Sequence, residues 1–319
     1  MNIFPLPWRL CRAAVLAAAA LPSIVHGAEP DSCRVVRMAD PGWTDIGATN
    51  ALTGIVLDAL GYEQKVLPLS VPIAYAGLQK GQVDVFLGNW MPAQTPLVAP
   101  LLKAGSIDTL RVNLPGAKFT LAVPDYVAQA GVRTFSDLAK HADRFERKIY
   151  GIESGAPANQ TIKNMLAAQS YALSGWSLVE SSEQGMLSQV ARKNRSQQWI
   201  VFLAWEPHQM NTNFKLVYLD GDDKYFGPRF GSASVSTVAR RGYRTACPNV
   251  GKLFAQVEFS AALEQAVIAG MLDKKQSARA AALAQLRARP ALVDAWLAGV
   301  GTRSGADGAA AVRAHLARP

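Results

Sequence analysis

The sequence predicts an α/β protein built from two lobes. Apolar runs of strand length alternate with helical stripes along most of the chain, which is the order expected for βαβ units around a parallel sheet. About 290 residues remain after removal of an N-terminal leader, more than a single hydrophobic core usually organises. A late strand-like run at 233–239 is followed by a wholly helical region broken at Pro290. We therefore expect the first strands and the last helices to form one lobe, interrupted by the second.

The N-terminus has the pattern of a secretory signal peptide. Arg9 and Arg12 precede an alanine-rich apolar run, and small residues follow it before Glu29. The run is too short to span a bilayer, and no later segment is long and apolar enough to do so. We expect cleavage near Gly27, which removes residues 1–27 and exports the rest of the chain.

Three strand–helix units are predicted at the start of the mature chain. Apolar residues recur at helical spacing up to Gly61, and Ser70 followed by Pro72 is typical of a helix start. The predicted strands lie at 34–39, 65–69 and 83–87, and the predicted helices lie at 48–60, at 70–81 and from Thr95 onward. Ligands of such sheets bind at the carboxyl ends of the strands.

The middle of the chain repeats this alternation. Pro157 suits the first position of a helix after a turn. The predicted strands lie at 119–123, 148–152, 177–180 and 199–205, and the predicted helices lie at 136–139, 157–168 and 184–193. We assign residues 28–117 and 215–319 to lobe I and residues 118–214 to lobe II. The two crossings between the lobes would form a hinge beside a cleft.

Two cysteines, Cys33 and Cys247, remain once Cys11 leaves with the signal peptide. An even pair in an exported chain is expected to form a disulfide, and the alternative is two buried thiols. A bond would tie the first strand to the C-terminal third of the chain. Both ends of the chain would then belong to lobe I.

Charge and motifs exclude several classes of function. The net charge is +9 before the leader is removed, and Lys and Arg are scattered along the chain. No basic stripe interleaved with aromatic residues occurs, so we expect no nucleic-acid partner. The histidines and cysteines lack the spacing of a metal site, and no phosphate loop, dinucleotide fingerprint or nucleophile elbow is present. The sequence predicts neither a metal nor a cofactor.

Three tryptophans lie in short turn-forming clusters, each at the end of an apolar run. They are Trp43 in 42–45, Trp90 in 88–92 and Trp205 in 204–208. A tryptophan on a loop is not expected to pack fully in a core, so we expect each to expose an indole face. Converging indole faces attract a cation that cannot hydrogen-bond, and quaternary ammonium is the usual ligand. The tryptophans expected in the core instead are Trp176, Trp199 and Trp296.

The segments around these tryptophans resemble the periplasmic choline- and glycine-betaine-binding proteins of ABC importers over nearly the whole mature chain. The matching segments are VRMAD (36–40) running into GWTD (42–45), GNWMP (88–92), GAKFTLAVP (116–124), WEPH (205–208) and CPNVG (247–251). The resemblance implies a type II periplasmic-binding-protein fold, in which each lobe is a sheet flanked by helices and the ligand lies in the cleft. It also implies a monomeric periplasmic receptor, not an enzyme, that binds a quaternary ammonium compound and delivers it to an ABC permease. Choline is the first expectation for that compound.

The resemblance implies four aromatic walls and a carboxylate for the site. Three walls are Trp43, Trp90 and Trp205. Phe119 stands where choline-binding relatives tend to carry a tyrosine, and the alternative is that it is a core residue of its strand. Asp45 is expected to offer its carboxylate to the ligand cation, and it could also cap the helix that begins near residue 46.

The turn that contains Gly155, Ala156 and Asn159 is expected to hold the polar end of the ligand, because backbone N–H groups are free at the start of a helix. Choline-binding relatives carry an asparagine directly after the glycine, where this chain has Ala156. Asn159 matches a second, later asparagine. The departures at Ala156 and Phe119 therefore bear on which polar tail the site accepts.

Two alternatives stay open at this point. A glycine betaine or carnitine receptor would place the ligand carboxylate on the Gly155 turn. A secreted hydrolase of choline esters would use Asp45, Glu206 and His208 as acid–base residues. The latter two residues also fit a turn whose role is to carry Trp205.

Overall fold

The structure of the protein is a computed structural model that describes Met1 and residues 28–318. Apart from Met1, the predicted signal peptide 1–27 lies outside the described residues. The described residues form nine strands and fifteen α-helices. None of the helices in this part of the chain is long and apolar enough to cross a membrane.

The strands are β1 Val35–Asp40, β2 Glu63–Pro68, β3 Val85–Met91, β4 Ile107–Pro124, β5 Lys148–Tyr150, β6 Ser177–Val179, β7 Phe202–Glu206, β8 Leu216–Tyr218 and β9 Ser232–Arg240. The helices are α1 Thr44–Ala59, α2 Val71–Gln79, α3 Thr95–Lys103, α4 Asp125–Gln129, α5 Phe135–Leu138, α6 Pro157–Ala167, α7 Glu183–Arg195, α8 Met210–Asn213, α9 Pro228–Gly231, α10 Tyr243–Ala246, α11 Pro248–Gln256, α12 Ala261–Leu272, α13 Ala278–Arg287, α14 Pro290–Trp296 and α15 Gly308–Leu316.

The strands form one mixed sheet in the order β2-β1-β3-β9-β4-β7-β5-β6, with β8 beside β4. At one end, β1 is parallel to β2 and β3, and at the other end β5 is parallel to β6 and β7. The centre is antiparallel, because β9 pairs with both β3 and β4, and β4 also pairs with β7 and β8. The prediction of a parallel sheet is therefore right at both ends and wrong in the middle.

Strand β4 belongs to both lobes, and the sequence predicts only its second half. Residues 107–118 pair with β9, whereas residues 118–122 pair with β7. The partners of the strand thus change at Lys118, and the chain passes from lobe I to lobe II without leaving the sheet. The first half of β4 has an irregular register with several shifts, and its alternation of apolar and polar residues is correspondingly weak.

The strand pairing favours a return crossing later than residue 215. Strand β8, which follows residue 215, pairs with residues 122–124 of β4 on the lobe II side. Strand β9 is the next lobe I strand and begins at Ser232. Directly before it, Gly231 has a φ of +68°, and a Cβ on this glycine would lie 1.9 Å from the carbonyl oxygen of Phe119. We therefore propose 28–117 with 232–319 as lobe I and 118–231 as lobe II.

The C-terminal helices pack on lobe I. Helix α1 contacts α12, α13 and α15, so it is enclosed between the first strands and the end of the chain. The predicted disulfide is present, and it joins Cys33 to Cys247 with their Cα atoms 5.7 Å apart. Asn249 adds polar links on the same face, because its side chain donates to the Tyr62 hydroxyl and to the Gly301 carbonyl.

We expect the Cys33→Ser/Cys247→Ser double variant to lower the free energy of unfolding by about 2–4 kcal/mol, because the bond closes a long loop and restricts the unfolded chain. Chemical denaturation of variant and unmodified protein measures this difference. Reduced unmodified protein is the matched control, and it should unfold at the same denaturant concentration as the variant. Stoichiometric labelling of both thiols in freshly purified, non-reduced protein would contradict the bond.

Candidate functional site

A small, partly enclosed cavity lies where the two lobes meet. The wall is formed by Trp43, Asp45, Trp90, Ala93 and Gln94 of lobe I and by Phe119, Ile152, Pro157, Ala158 and Trp205 of lobe II. Each lobe thus supplies half of the wall, and the cavity depends on their contact.

Four aromatic side chains make up most of this wall. Trp43 is the N-cap residue of α1, three positions after the end of β1, and Trp90 is the penultimate residue of β3. Phe119 and Trp205 are cross-strand partners in the antiparallel pair of β4 and β7. The ring centroids of Trp90 and Phe119 lie 6.3 Å apart, across the boundary between the lobes. The sheet therefore brings together the four aromatic residues that the sequence analysis selected.

Trp43, Trp90 and Trp205 are more deeply buried than their expected position on loops predicts. Their exposed fractions are 8%, 5% and 4%, because the opposite lobe covers what their own lobe leaves open. Two of them lie within strands and not on loops. The tryptophans predicted to lie in the core, Trp176, Trp199 and Trp296, are equally buried. Position on the cavity wall, and not exposure, separates the two sets.

Asp45 is the one ionisable side chain among the described residues of the wall. It is the second residue of α1 and not its N-cap, so the capping alternative is wrong. Its side chain is buried, and its Oδ1 has no hydrogen-bond partner among the described residues. Burial, reinforced by the nearby Glu183, raises the pKa of Asp45 to about 8, although Trp90 and the backbone N–H groups of Asp45 and Ile46 oppose the shift. A cation in the cavity would lie near this carboxyl group and favour its ionised form.

Other carboxyl groups surround the cavity without lining it. Burial raises the pKa of Asp40, Glu153 and Glu264. The nearby Glu183 raises the pKa of Asp40 and Glu153 further. Asp45 does the same for Glu264. The indole Nε1 of Trp43 donates to both carboxylate oxygens of Glu153, at 3.0 and 3.1 Å. A cationic ligand would favour the ionised forms of these groups.

The Gly155 turn lies beside the cavity, not in its wall. Gly155, with a φ of +84°, lines an adjoining surface groove between α3 and α6. Ala156 is the buried N-cap residue of α6 and does not line the cavity, although the two residues that follow it do. The start of α6 thus approaches the ligand space through Pro157 and Ala158.

Asn159 has a structural role in place of the expected ligand contact. Its side-chain oxygen accepts a hydrogen bond from the Ile152 N–H at 3.1 Å. Its amide nitrogen donates to the carbonyls of Ile152 and Glu153 and to the carboxylate of Glu180. These bonds turn the side chain toward its own loop, and they hold Ile152 in the wall.

The acid–base residues of the hydrolase alternative are not assembled. His208 is fully buried, with Nε2 on Glu183 at 3.1 Å and Nδ1 accepting from the Met210 N–H. Glu206 pairs with Lys118 at 3.1 Å. Neither residue lines the cavity, and the described wall contains no hydroxyl or thiol that could serve as a nucleophile.

Five residues of the wall were not predicted from the sequence, namely Ala93, Gln94, Ile152, Pro157 and Ala158. Gln94 is the polar member of this set. Its Nε2 donates to the Gly88 carbonyl, and its Oε1 accepts from the Tyr75 hydroxyl, both at 2.7 Å. Its place four residues after Trp90, in the turn before α3, is the one signal that could have identified it.

The chain is similar to binding proteins of known structure. The family model for the substrate-binding domain of ABC-type glycine betaine transport systems matches residues 34–288. An ABC-transporter choline-binding protein solved in complex with choline is 49% identical, with a TM-score of 0.89, over 90% of this chain and 100% of that chain.

Two further structures extend the comparison. An ABC-transporter choline-binding protein in an unliganded semi-closed conformation is 48% identical, with a TM-score of 0.83, over 90% of this chain and 100% of that chain. Lactococcal OpuAC in its closed-liganded conformation with glycine betaine is 25% identical, with a TM-score of 0.73, over 82% of this chain and 99% of that chain. The present arrangement of the lobes matches the choline complex better than the semi-closed structure.

Proposed function

The chain belongs to the family of substrate-binding domains of ABC-type glycine betaine transport systems, and we propose that it is the receptor that captures choline for an ABC permease. The resemblance and the two-lobe α/β fold predicted from the sequence are both confirmed by the family match and by the solved structures. Which quaternary ammonium compound this chain prefers depends on its own cavity.

The observation that carries the proposal is an aromatic cavity whose wall includes the buried carboxyl group of Asp45, one oxygen of which has no hydrogen-bond partner among the described residues. A quaternary ammonium group cannot donate a hydrogen bond, so it needs π faces and a negative charge at contact distance. The cavity supplies three indoles, the ring of Phe119 and one carboxylate. An ordinary ammonium ion would instead leave its N–H donors with few acceptors in this wall.

The charges around the cavity favour a cation over a zwitterion. No lysine, arginine or histidine lies in the described wall. The carboxylate of glycine betaine would therefore have no cationic partner, and it would lie near the acidic groups Asp45, Glu153 and Glu183, whose ionisation it would oppose. Choline carries the same trimethylammonium group with an uncharged hydroxyl, which avoids that repulsion.

A glycine betaine receptor is the second candidate, and the start of α6 supports it. Pro157 and Ala158 line the cavity, and Ala156 provides no side-chain cap for this helix. A ligand carboxylate could accept hydrogen bonds from backbone N–H groups at this helix start. That interaction would have to outweigh the acidic surroundings.

Calorimetric titration of ligand-stripped protein with choline, glycine betaine, carnitine, acetylcholine and proline betaine separates these candidates. We expect choline to bind most tightly. Tighter binding of glycine betaine would replace the first proposal with the second. Hydrolysis of acetylcholine during the titration would instead revive the esterase alternative, because a receptor returns its ligand unchanged.

The location and partners of the protein follow from the same proposal. The pattern of residues 1–27 supports export to the periplasm, where a binding protein meets its permease. We propose that the protein acts as a monomer and delivers the ligand to the membrane component through surfaces of both lobes. Gel filtration with light scattering, with and without choline, tests the oligomeric state.

Phe119→Tyr is expected to sharpen selectivity for choline over its methyl ether. Phe119 lacks the phenol hydroxyl found in relatives, and a hydrogen bond to an uncharged group contributes about 0.5–1.5 kcal/mol. The unmodified protein should therefore discriminate by tenfold or less, and the variant by several-fold more. Ala156→Asn, from the other departure, should have a smaller effect because residue 156 does not line the cavity. If the unmodified protein discriminates strongly between choline and its methyl ether, and neither variant changes this, then another group, such as Gln94, binds the choline hydroxyl.

A further inference from the structure

Glu183 is a buried carboxylate of lobe II that is bonded to lobe I. It is the first residue of α7, and its Oε2 accepts from the backbone N–H of Thr44 at 3.0 Å. Its Oε1 accepts a short hydrogen bond from the Thr44 hydroxyl. Within lobe II, His208 donates from Nε2 to the same Oε1, because its Nδ1 accepts from the Met210 N–H.

Helix α1 receives its N-terminal cap from the other lobe. Its N-cap residue, Trp43, makes no capping hydrogen bond through its side chain. The first N–H groups of a helix have no partner within the helix, and the helix dipole places positive partial charge there. A carboxylate at this position is therefore a strong acceptor, and Glu183 provides it only while the lobes are in contact.

The capped residue lies between two residues of the cavity wall. Thr44 separates Trp43 from Asp45, and both of these line the cavity, whereas Thr44 and Glu183 do not. Holding Thr44 against lobe II therefore fixes the direction of the indole and of the carboxylate together. The same carboxylate lies close enough to Asp45 to disfavour its ionisation, so a bound cation would also relieve a repulsion created by closure.

We infer that Glu183 is a positioning residue for ligand capture: by capping α1 from lobe II, it holds the lobes closed and fixes Trp43 and Asp45 around the ligand. The identity of the ligand in this inference rests on the proposed function. A second contact supports the same closure, because Gln209 of lobe II bonds to Gln265 and Asp273 at helix α12 of lobe I.

Glu183→Gln and Thr44→Val test this role. In Glu183→Gln, the side-chain amide places its N–H donors against the N–H and hydroxyl donors of Thr44. Thr44→Val removes the hydroxyl while keeping the shape of the side chain. Because hydrogen bonds to charged groups are the stronger class, we expect Glu183→Gln to weaken choline binding at least tenfold, mainly through faster dissociation, and Thr44→Val to have a smaller effect of the same kind. Stopped-flow tryptophan fluorescence measures both rate constants.

Three controls accompany these variants. Thr44→Ser restores the hydroxyl and should retain the unmodified dissociation rate. Glu146→Gln removes an acidic group of lobe II whose partners, Lys148 and Lys193, lie in the same lobe, and it should leave binding unchanged. Thermal melting identifies any variant that fails to fold. If Glu183→Gln does not fold, the comparison of Thr44→Val with Thr44→Ser decides whether this contact slows dissociation of the ligand.

A distance measurement tests the closure without any ligand. Nitroxide labels on cysteines introduced at the exposed residues Lys103 of α3 and Gln160 of α6 report the separation of the lobes. We expect longer separations in Glu183→Gln than in the unmodified protein, both without ligand and with choline. Unchanged separations together with unchanged dissociation in Glu183→Gln and Thr44→Val would overturn the inference. Failure of the unmodified protein to bind choline would overturn the proposed ligand, and the ligand-free separations would still decide the role of Glu183.

Discussion

Replacement of Asp45 by asparagine is expected to weaken choline binding at least hundredfold at pH 8. The carboxylate is buried in the cavity wall, and no second ionisable group lies in the described wall to replace it. Removal of one partner of a buried ion pair costs about 3–5 kcal/mol, because the other charge is left uncompensated. Isothermal titration at pH 8 measures the loss.

Asp58→Asn is the matched control for this variant. Asp58 lies on the same helix, but it is on the surface and pairs with Arg279 at 2.6 Å. Its replacement should leave choline affinity unchanged. Equal affinity of Asp45→Asn and the unmodified protein would show that the aromatic rings alone hold the cation.

Binding should also release a proton, because the pKa of Asp45 is raised to about 8 by burial and by Glu183. At pH 7 the carboxyl is mostly protonated, whereas a cation beside it favours the ionised form. Affinity should therefore rise with pH up to about pH 8. Glu264, whose pKa is also raised, faces Asp45 and should keep its proton. Titration in buffers of different ionisation enthalpy measures the release, and buffer-independent heats would exclude Asp45 as its source.

The same raised pKa makes the ligand-free protein less stable as the pH rises. In the unfolded chain an aspartate has a pKa of about 3.9, so between about pH 4 and pH 8 the folded state binds more protons than the unfolded state. The contribution of Asp45 to stability is therefore lost progressively across this interval. The difference in melting temperature between Asp45→Asn and the unmodified protein should increase in favour of the variant from pH 5 to pH 8. Such a trend would show that Asp45 lowers the stability of the ligand-free protein and serves binding.

Local patterns were sufficient for the elements that surround the site. The apolar stripe of α1, the proline start of α6 and the turn clusters placed Trp43 and Trp205 near the ends of their elements. The burial of the indoles was not predictable in this way. It arises from contact between residues of different lobes, and no local pattern records that contact.

Polar residues were harder to assign than aromatic ones, for the same reason. Asn159 has the sequence context of a ligand-binding residue, yet its hydrogen bonds go to its own loop and to Glu180. Glu183 has the sequence context of an ordinary first-turn acid of a helix, yet it bonds to Thr44, 139 positions earlier. In both cases the partner decides the role, and the partner is fixed by the tertiary fold.

The aromatic cage should act through charge and not through buried area alone. Trp90→Leu and Trp205→Leu keep an apolar side chain on each lobe but remove the π face. Since a desolvated cation–indole contact contributes about 2 kcal/mol, each single variant should weaken choline binding about thirtyfold, and the double variant several hundredfold or more. Trp199→Leu, in the lobe II core and away from the cavity, is the control for lost packing, and it should retain choline affinity in its folded fraction.

An uncharged isostere separates the two explanations of that loss. In 3,3-dimethyl-1-butanol a carbon atom replaces the quaternary nitrogen of choline, so the shape is kept and the charge is removed. The unmodified protein should strongly prefer choline, and each tryptophan variant should narrow that preference, because the indole quadrupole acts on the charge and not on the methyl groups. If the variants weaken both ligands by the same factor, the rings contribute apolar surface alone, and the selectivity of the site for a cation has to come from Asp45 and the acidic groups around it.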